Sequence, residues 1–597
     1  MRRTVLLVIA GAVAVFAIWY VRRISQETSS ASVTALLPRE TIFLAHVPDF
    51  NRTRDQFDHS DVCLLYREPA VQEFLRKPLT KLPKKAAASQ TLREIEQLDP
   101  KNVFFALTSM ANDSLKVVMG FCFREDPNSA EKIITGWCSE ALGNPSNRET
   151  IDYQRRKIHI STFGLFSLAT VYDRNWFFAS NNLAEIKALL DRADGRVKNA
   201  KNKLDADESY RAAGAHMPSS YAASFYLQPK TISERLAALH AAIQSPGAPD
   251  ERVLLEQVRS ISGAMYFESG KIHDLLFVGM PKLEQDAALS RSSLALGTKE
   301  TFFYLSMLLN VGQKIDALNQ AAGIGGAVQR FFQTFSDSGI TADDWKASFG
   351  VELASLADWP SNAPLPSLIL TLPVIDMVKA SKIVEAVTHS DKNAIWTQTE
   401  KDSVRYFSMP SPATLVAITP TIALSNRILV AGFNPVSIEQ AIQRDGSGSS
   451  ELSNSQTYQA AAKLVPSPTN FFAYIDAALL YSRLDASLRP MLIMASAFMP
   501  GMTDSVDLTR LPAAEVITKH LSPIVSSQRY DGDGYVAESV GPITLDQSAI
   551  GLAILSGVGA AARQKAGTSL TGWGSSSTGS PQPSSSPPST PNPAPTP

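Results

Sequence analysis

Trp176-Phe-Phe-Ala-Ser-Asn-Asn-Leu-Ala-Glu-Ile-Lys-Ala-Leu-Leu-Asp-Arg-Ala-Asp-Gly195 is matched further along the chain by Arg427-Ile-Leu-Val-Ala-Gly-Phe-Asn-Pro-Val-Ser-Ile-Glu-Gln-Ala-Ile-Gln-Arg-Asp-Gly446. Each stretch is a short β-branched or aromatic strand, a turn, and an amphipathic helix closed by glycine. Asn182, and Asn434 at 252 positions further on, stand where a helix N-cap belongs, because the amide oxygen accepts an orphan first-turn N–H. Glu185 is expected to complete a capping box in the first stretch, and Pro435 fills the first helical position in the second. The apolar stripe repeats at the same offset: Ile186, Leu189 and Leu190 answer to Ile438, Ala441 and Ile442, at i, i+3, i+4 spacing.

The echo extends outward from these stretches. Thr41 in the opening Leu36-Leu-Pro-Arg-Glu-Thr run corresponds to Thr301, and the strand and helix from Lys116 correspond to Ser367–Leu372 and the helix from Asp376. Tyr210, Pro218, Tyr226 and Arg235 correspond to Tyr458, Pro466, Tyr474 and Arg483, all 248 positions on. A closing hairpin, Ile261–Glu268 with Lys271–Val278, corresponds to Ile524–Tyr530 with Tyr535–Val540. Further expected elements are helices over 69–77, 86–98 and 129–142, helices near 231–245 and 251–259, and strands over 221–227, 403–407 and 414–418. Order, spacing and element type repeat together, which is the mark of a tandem duplication. Period-2 strands with short turns, interrupted by helices in clumps, predict α+β folding with mainly antiparallel sheets and flanking helices.

The expected organisation is an N-terminal membrane anchor (1–25), a spacer (26–34), module 1 (35–282) and module 2 (283–545). A small-residue apolar helix (546–567) and a disordered Pro/Ser/Thr-rich tail (568–597) complete it. The anchor rests on residues 4–21, eighteen uncharged and mostly apolar positions between Arg2-Arg3 and Arg22-Arg23. As a helix they rise roughly 27 Å, close to the hydrocarbon thickness of a bilayer. Trp19 and Tyr20 stand where interfacial aromatics belong, and no small-residue cleavage site precedes the double arginine. A large domain after such a signal-anchor is expected outside the cytoplasm. Residues 549–562 are too short a run for a second crossing and predict a buried or interfacial helix.

The 597 residues carry 56 basic and 57 acidic side chains, so no overall field draws the chain to nucleic acid. An apolar fraction of 44% is that of a folded protein. Cys63, Cys122 and Cys138 are too few for a disulfide scaffold and lack a C-x-x-C pair for zinc; they are expected as plain thiols, with a Cys122–Cys138 bridge left open.

No nucleophile elbow or phosphate loop occurs. Gly557-Val-Gly559 imitates a dinucleotide fingerprint without a preceding strand, and Asp531-Gly-Asp-Gly534 imitates a calcium loop but is better explained as a hairpin turn. His46 beside Asp49, and His159, are expected as half-buried structural histidines. Asp343-Asp344 beside Trp345 is expected to cap a helix. Met491–Met499 with Met502, and the Phe331, Phe332, Phe335 stripe, are expected in the core; exposed, either would suit lipid or a partner. No catalytic, cofactor or metal residue is assigned.

The anchor, the Leu36-Leu-Pro-Arg-Glu-Thr opening, the Ala179-Ser-Asn-Asn and Ala431-Gly-Phe-Asn turns, and Glu538-Ser-Val-Gly-Pro542 together resemble a bacterial family. It is catalogued as a domain of unknown function and typified by membrane-anchored proteins with duplicated α+β modules. The resemblance spans about residues 35 to 545 and implies a bacterial envelope protein, single-pass in the cytoplasmic membrane with its bulk periplasmic. It brings no activity and no catalytic residues. The expected role is non-enzymatic: binding of a partner or envelope scaffolding, with a carrier of hydrophobic ligands such as lipid, or an enzyme whose site matches no recognised motif, as the alternatives.

Overall fold

The computed structural model describes residues 32–81, 86–111, 114–197, 202–232, 234, 257–282, 287–308, 340–390, 395–410, 418–445, 450–498, 507–545 and 547. The expected anchor, the Phe331–Phe335 stripe, Gly557-Val-Gly559, the apolar run 549–562 and the tail fall outside them, as do most of the helices expected near 231–245 and 251–259. Among the described residues, no helix is long and apolar enough to cross a membrane.

Among the described residues, twenty strands form one sheet. The first ten are β1 (Phe43–Asp49), β2 (Lys101–Ala111), β3 (Ser114–Cys122), β4 (Asn147–Tyr153), β5 (Arg156–Phe163), β6 (Phe166–Asp173), β7 (Trp176–Ser180), β8 (Ala223–Leu227), β9 (Ser260–Glu268) and β10 (Lys271–Gly279). The second ten are β11 (Thr301–Leu308), β12 (Glu352–Asp358), β13 (Ser367–Pro373), β14 (Thr397–Lys401), β15 (Val404–Ser408), β16 (Thr421–Leu424), β17 (Ile428–Gly432), β18 (Phe471–Ile475), β19 (Ile524–Tyr530) and β20 (Tyr535–Gly541). Every pairing is antiparallel. Outward from the central β10–β20 pair, one side runs 10-9-8-1-2-3-7-6-5-4. The other side runs 20-19-18-11-12-13-17-16-15-14.

The register agrees as well as the order. Leu44 lies opposite Tyr226, and Tyr304 opposite Tyr474; Val118 lies opposite Ser180, and Ile369 opposite Gly432. At the seam, Leu275 pairs with Glu538, the residue at its own position in the closing hairpin of the second half. Strands related by a two-fold rotation pair in this way. The terminal strands β4 and β14 carry polar and charged residues, which discourages pairing with another chain.

Helices cover both faces. Leu183–Ala193 buries Ile186, Leu189 and Leu190 against one core, while Pro127–Leu142 packs Ala130 and Ile134 against Phe121 and Phe177 on the other face. In the second half, Pro435–Asp445 and Met377–Ser390 take the corresponding places. The caps agree in detail: Asn182 Oδ1 accepts the N–H groups of Ala184 (3.0 Å) and Glu185 (3.4 Å), and Asn434 Oδ1 those of Val436 (3.0 Å) and Ser437 (3.4 Å). The expected capping box at Glu185 does not form. The Asn182 N–H already donates to Ser180 Oγ (3.0 Å), which frees the Glu185 carboxylate to pair with Lys116 Nζ at 3.4 Å.

Near the end of each helix an arginine ties down the entry to its half. Arg192 Nε donates to the Leu36 carbonyl (2.6 Å), and Arg444 Nε to the Leu296 carbonyl (2.7 Å). Arg192 is nearly buried, and burial holds its guanidinium below the ordinary arginine value. Arg192→Met should cost about 2 kcal/mol in chemical denaturation, because a buried carbonyl then loses a charged donor. Arg444→Met, more exposed, should cost less.

Several elements differ from the sequence reading. Phe50–Asp58 and Asp61–Arg67 are short helices that the pattern did not announce, held at their starts by Asp49 and Ser60. The strand expected over 414–418 falls outside the described residues except for Ile418; the strand that lies between β15 and β17 is Thr421–Leu424, after Pro420, whose missing N–H makes it a poor ladder residue. Residues 411–417 lie outside the described set. Everything described up to Leu545 belongs to one compact unit, since the sheet crosses the middle of the chain without a break. Glu68, which accepts from Lys519 Nζ and His520 Nε2 (both 2.7 Å), adds a polar tie between the halves.

Candidate functional site

A cavity of about 270 Å³ lies in the first half, between β1, β8, β9 and the helix Glu208–Ala215. Alternation along the strands puts Leu44 and His46, Ser224 and Tyr226, and Ser262 on the face that this helix covers. Leu44, Tyr210, Ala213, Met217 and Tyr226 make the walls. The helix is held by Asp207, which caps it through the Tyr210 N–H at 3.0 Å, and by the Tyr210 ring set edge-on to Tyr226 with centroids 5.0 Å apart. Burial pushes the Tyr210 phenol up to about 12, so it stays protonated.

His46 Nδ1 and the Tyr221 hydroxyl are hydrogen-bonded at 2.9 Å, with ring centroids 5.8 Å apart. Ser219, Ser224 and Ser262 add hydroxyls to the lining. Ser262 is 2% exposed and its Oγ has no hydrogen-bond partner. A buried hydroxyl in that state costs free energy that a ligand able to bond it would recover. No Asp, Glu, Lys or Arg lines the cavity.

The second half supplies a comparison within the same chain. Tyr304, Ser306, Phe472, Tyr474 and Val525 occupy the register positions of Leu44, His46, Ser224, Tyr226 and Ser262. There Phe472 fills the space, its ring 6.2 Å from Tyr304 and 6.1 Å from Tyr458, with the Arg291 guanidinium 4.9 Å above it. Tyr458 and Tyr474 keep the edge-on contact at 5.1 Å. Phe472, Tyr304 and Tyr474 are all at most 1% exposed. The surrounding frame is therefore alike, and the first half is hollow because serine and leucine stand where the second half has phenylalanine and tyrosine.

Burial holds the His46 imidazole below its ordinary value, against a weaker polar influence from Asn102. His273, stacked on Tyr266 at 4.7 Å, is depressed for the same first reason. A depressed imidazole means that the unfolded chain binds protons more readily below about pH 6.5, so stability is full above that pH and falls as pH drops toward the folded-state values. Denaturation curves between pH 7 and 5 should show this fall, and His46→Gln should make it shallower.

The remaining sequence candidates are dispersed. Asp49 caps the helix Phe50–Asp58 through the Arg52 N–H and pairs with Lys101 at 3.2 Å, so it forms no dyad with His46. His159 bonds Thr150 Oγ1 at 3.1 Å and lies five strand spacings from His46, about 24 Å. Asp344 forms a capping box with Thr341. Asp531–Gly534 is the β19–β20 turn, with Asp531 near Arg529 (3.7 Å) and His216 (3.6 Å). Cys63, Cys122 and Cys138 are free, and burial raises the Cys122 and Cys138 thiols, which makes them weak nucleophiles. Among the described residues no cluster of His, Cys, Asp and Glu could hold a metal.

While the side chains at 493 and 495–499, and Met502, fall outside the described residues, Met491, Leu492 and Met494 depart from the expected core packing. They lie exposed on the helix Ala477–Phe498, Met494 at 62%, on a side that faces no other described element closely enough to bury them. The sequence reading missed Ser224 and Ser262 altogether. Setting them beside Phe472 and Val525 was the one available signal, and it needs the pairing register to align the strands.

No family model matches the chain, and no curated protein does. Two solved structures of a protein named TP0453 are similar to part of it. Crystal form I is 5% identical over 43% of this chain and 82% of that one, with a TM-score of 0.22; crystal form III is 6% identical over 43% and 84%, with a TM-score of 0.24. Likenesses this loose carry no argument about fold or role.

Proposed function

We propose that this chain is a non-enzymatic binding protein, tethered to a bacterial cytoplasmic membrane by residues 4–21 and standing outside the cytoplasm. Residues 35–282 and 283–545 are two copies of one α+β module. The shared strand order, the shared register and the two-fold seam at Leu275–Glu538 support descent from one ancestral unit. The copies have divided their roles: the second is a filled structural partner, and the first holds the ligand. The observation that carries this reading is the cavity beneath Glu208–Ala215, at a place where the second half is packed solid by Phe472.

The test has two arms. The full chain should stay with the membrane in alkaline carbonate, and a chain lacking residues 1–25 should be released. Xenon, which enters protein cavities with apolar walls, should give a saturable ¹²⁹Xe NMR shift that Ser224→Phe abolishes. Release of the full chain into the supernatant would refute the tether, and an unsaturable shift unaffected by Ser224→Phe would refute the cavity. A second reading, docking of lipid or a protein partner, is favoured by the exposed Met491, Leu492 and Met494.

A further inference from the structure

We propose that the first-half cavity takes an uncharged, ring-sized molecule with an apolar body and a single hydroxyl, a phenol-class ligand. The inference rests on the reading of this cavity as the binding site and assigns its chemistry from three features.

Volume sets the size. A dry cavity of about 150 Å³ holds benzene, so about 270 Å³ admits a substituted ring or a short branched chain and is too small to enclose a full-length acyl lipid. The lining sets the charge. A carboxylate, phosphate or ammonium seated against this lining would lose water and meet no opposite charge in the wall. The His46 imidazole, kept neutral by burial, supplies no counter-ion either.

The polar group is set by Ser262. Its Oγ both donates and accepts, is 2% exposed, and is unpartnered at the sheet wall, as is the buried Nε2 of His46 in the same lining. Tyr221, already joined to His46, and Ser224 lie around the same space. A ligand hydroxyl also donates and accepts, so it satisfies Ser262 in either orientation, whereas a hydrocarbon leaves the oxygen orphaned. In the second half Val525 stands at the Ser262 position and Phe472 brings its own ring, so the side chain of the chain itself occupies the place assigned to the ligand.

The test is calorimetric titration of the full-length protein in lipid nanodiscs with phenol, benzene and benzoate. The Ser224→Phe variant in the same discs serves as the reference for partition into lipid. Phenol should bind with one-to-one stoichiometry, benzene roughly two- to tenfold more weakly for lack of one hydrogen bond, and benzoate not at all. Ser262→Ala should bring phenol down to the level of benzene. Ser224→Phe should remove both while its melting temperature stays at or above that of the unaltered protein. Binding of benzoate as tight as that of phenol, or a phenol preference that survives Ser262→Ala, would overturn the assignment. Equal binding of phenol and benzene would overturn the ligand class and leave the cavity as a binding site. No saturable binding of any probe would overturn both.

Discussion

Replacing Phe472 with serine, the residue at the matching position of β8, is expected to destabilise the protein by about 4 kcal/mol. Truncating a fully buried phenylalanine costs roughly 3–5 kcal/mol, from lost transfer free energy and from the cavity left behind. Phe472 is 1% exposed and sits between Tyr304 and Tyr458 beneath the Arg291 guanidinium, so its removal strands three partners at once. The reverse exchange, Ser224→Phe, has a template for its fit in the other half and should be neutral or stabilising by up to about 1 kcal/mol. Urea denaturation of both variants, with the midpoint read at constant slope, decides the matter. If Phe472→Ser cost under 1 kcal/mol, the contrast between a packed second half and a hollow first half would lose its energetic meaning.

The second large effect is expected at the seam. Gly534 ends the β19–β20 turn against β10, and a Cβ built there falls 2.3 Å from the Val278 carbonyl oxygen and 2.9 Å from the Gly279 Cα. Both are backbone atoms, so no side-chain rotation relieves the clash, and β20 has to move away from β10. Gly534→Ala should therefore cost about 3 kcal/mol, within the range of strain at tightly packed sites. Because β10–β20 is the only pairing between the halves among the described strands, the same change should split a single thermal transition into two. Gly532→Ala in the same turn is the control. Gly532 has φ +60° with nothing near the added carbon, so it should lose only the ~1–2 kcal/mol that a side chain costs in the left-handed region. A Gly534→Ala variant that melts like the Gly532→Ala variant would show that the seam does not join the halves.

Local signals carried well from sequence to structure where one residue type has one cheap solution. Asn182 and Asn434 cap their helices as expected because an amide oxygen before an apolar stripe has orphan N–H groups within reach. Both closing hairpins form because alternating strands meet at Ser269-Gly270 and Asp531–Gly534, turns rich in residues that tolerate positive φ. The short helices Phe50–Asp58 and Asp61–Arg67 were less legible, since each is too brief to display a full apolar stripe. The Met-rich run misled in another way. Methionine is as consistent with a core as with an adaptable surface, and periodicity cannot tell which side of a helix has a neighbour.

The sequence by itself determined the antiparallel α+β class, the recurring strand–turn–helix unit and where its two Asn-capped helices begin, because these depend on contacts only a few residues long. Only the tertiary structure decided that twenty strands join in one sheet through β10 and β20, and that the first half is hollow where the second is filled. Ser224 and Ser262 are 38 positions apart and carry no motif. They define a site only once strand register sets them on one face beside Leu44 and beneath one helix, and register is fixed by which faces can be buried together rather than by any run of neighbouring residues.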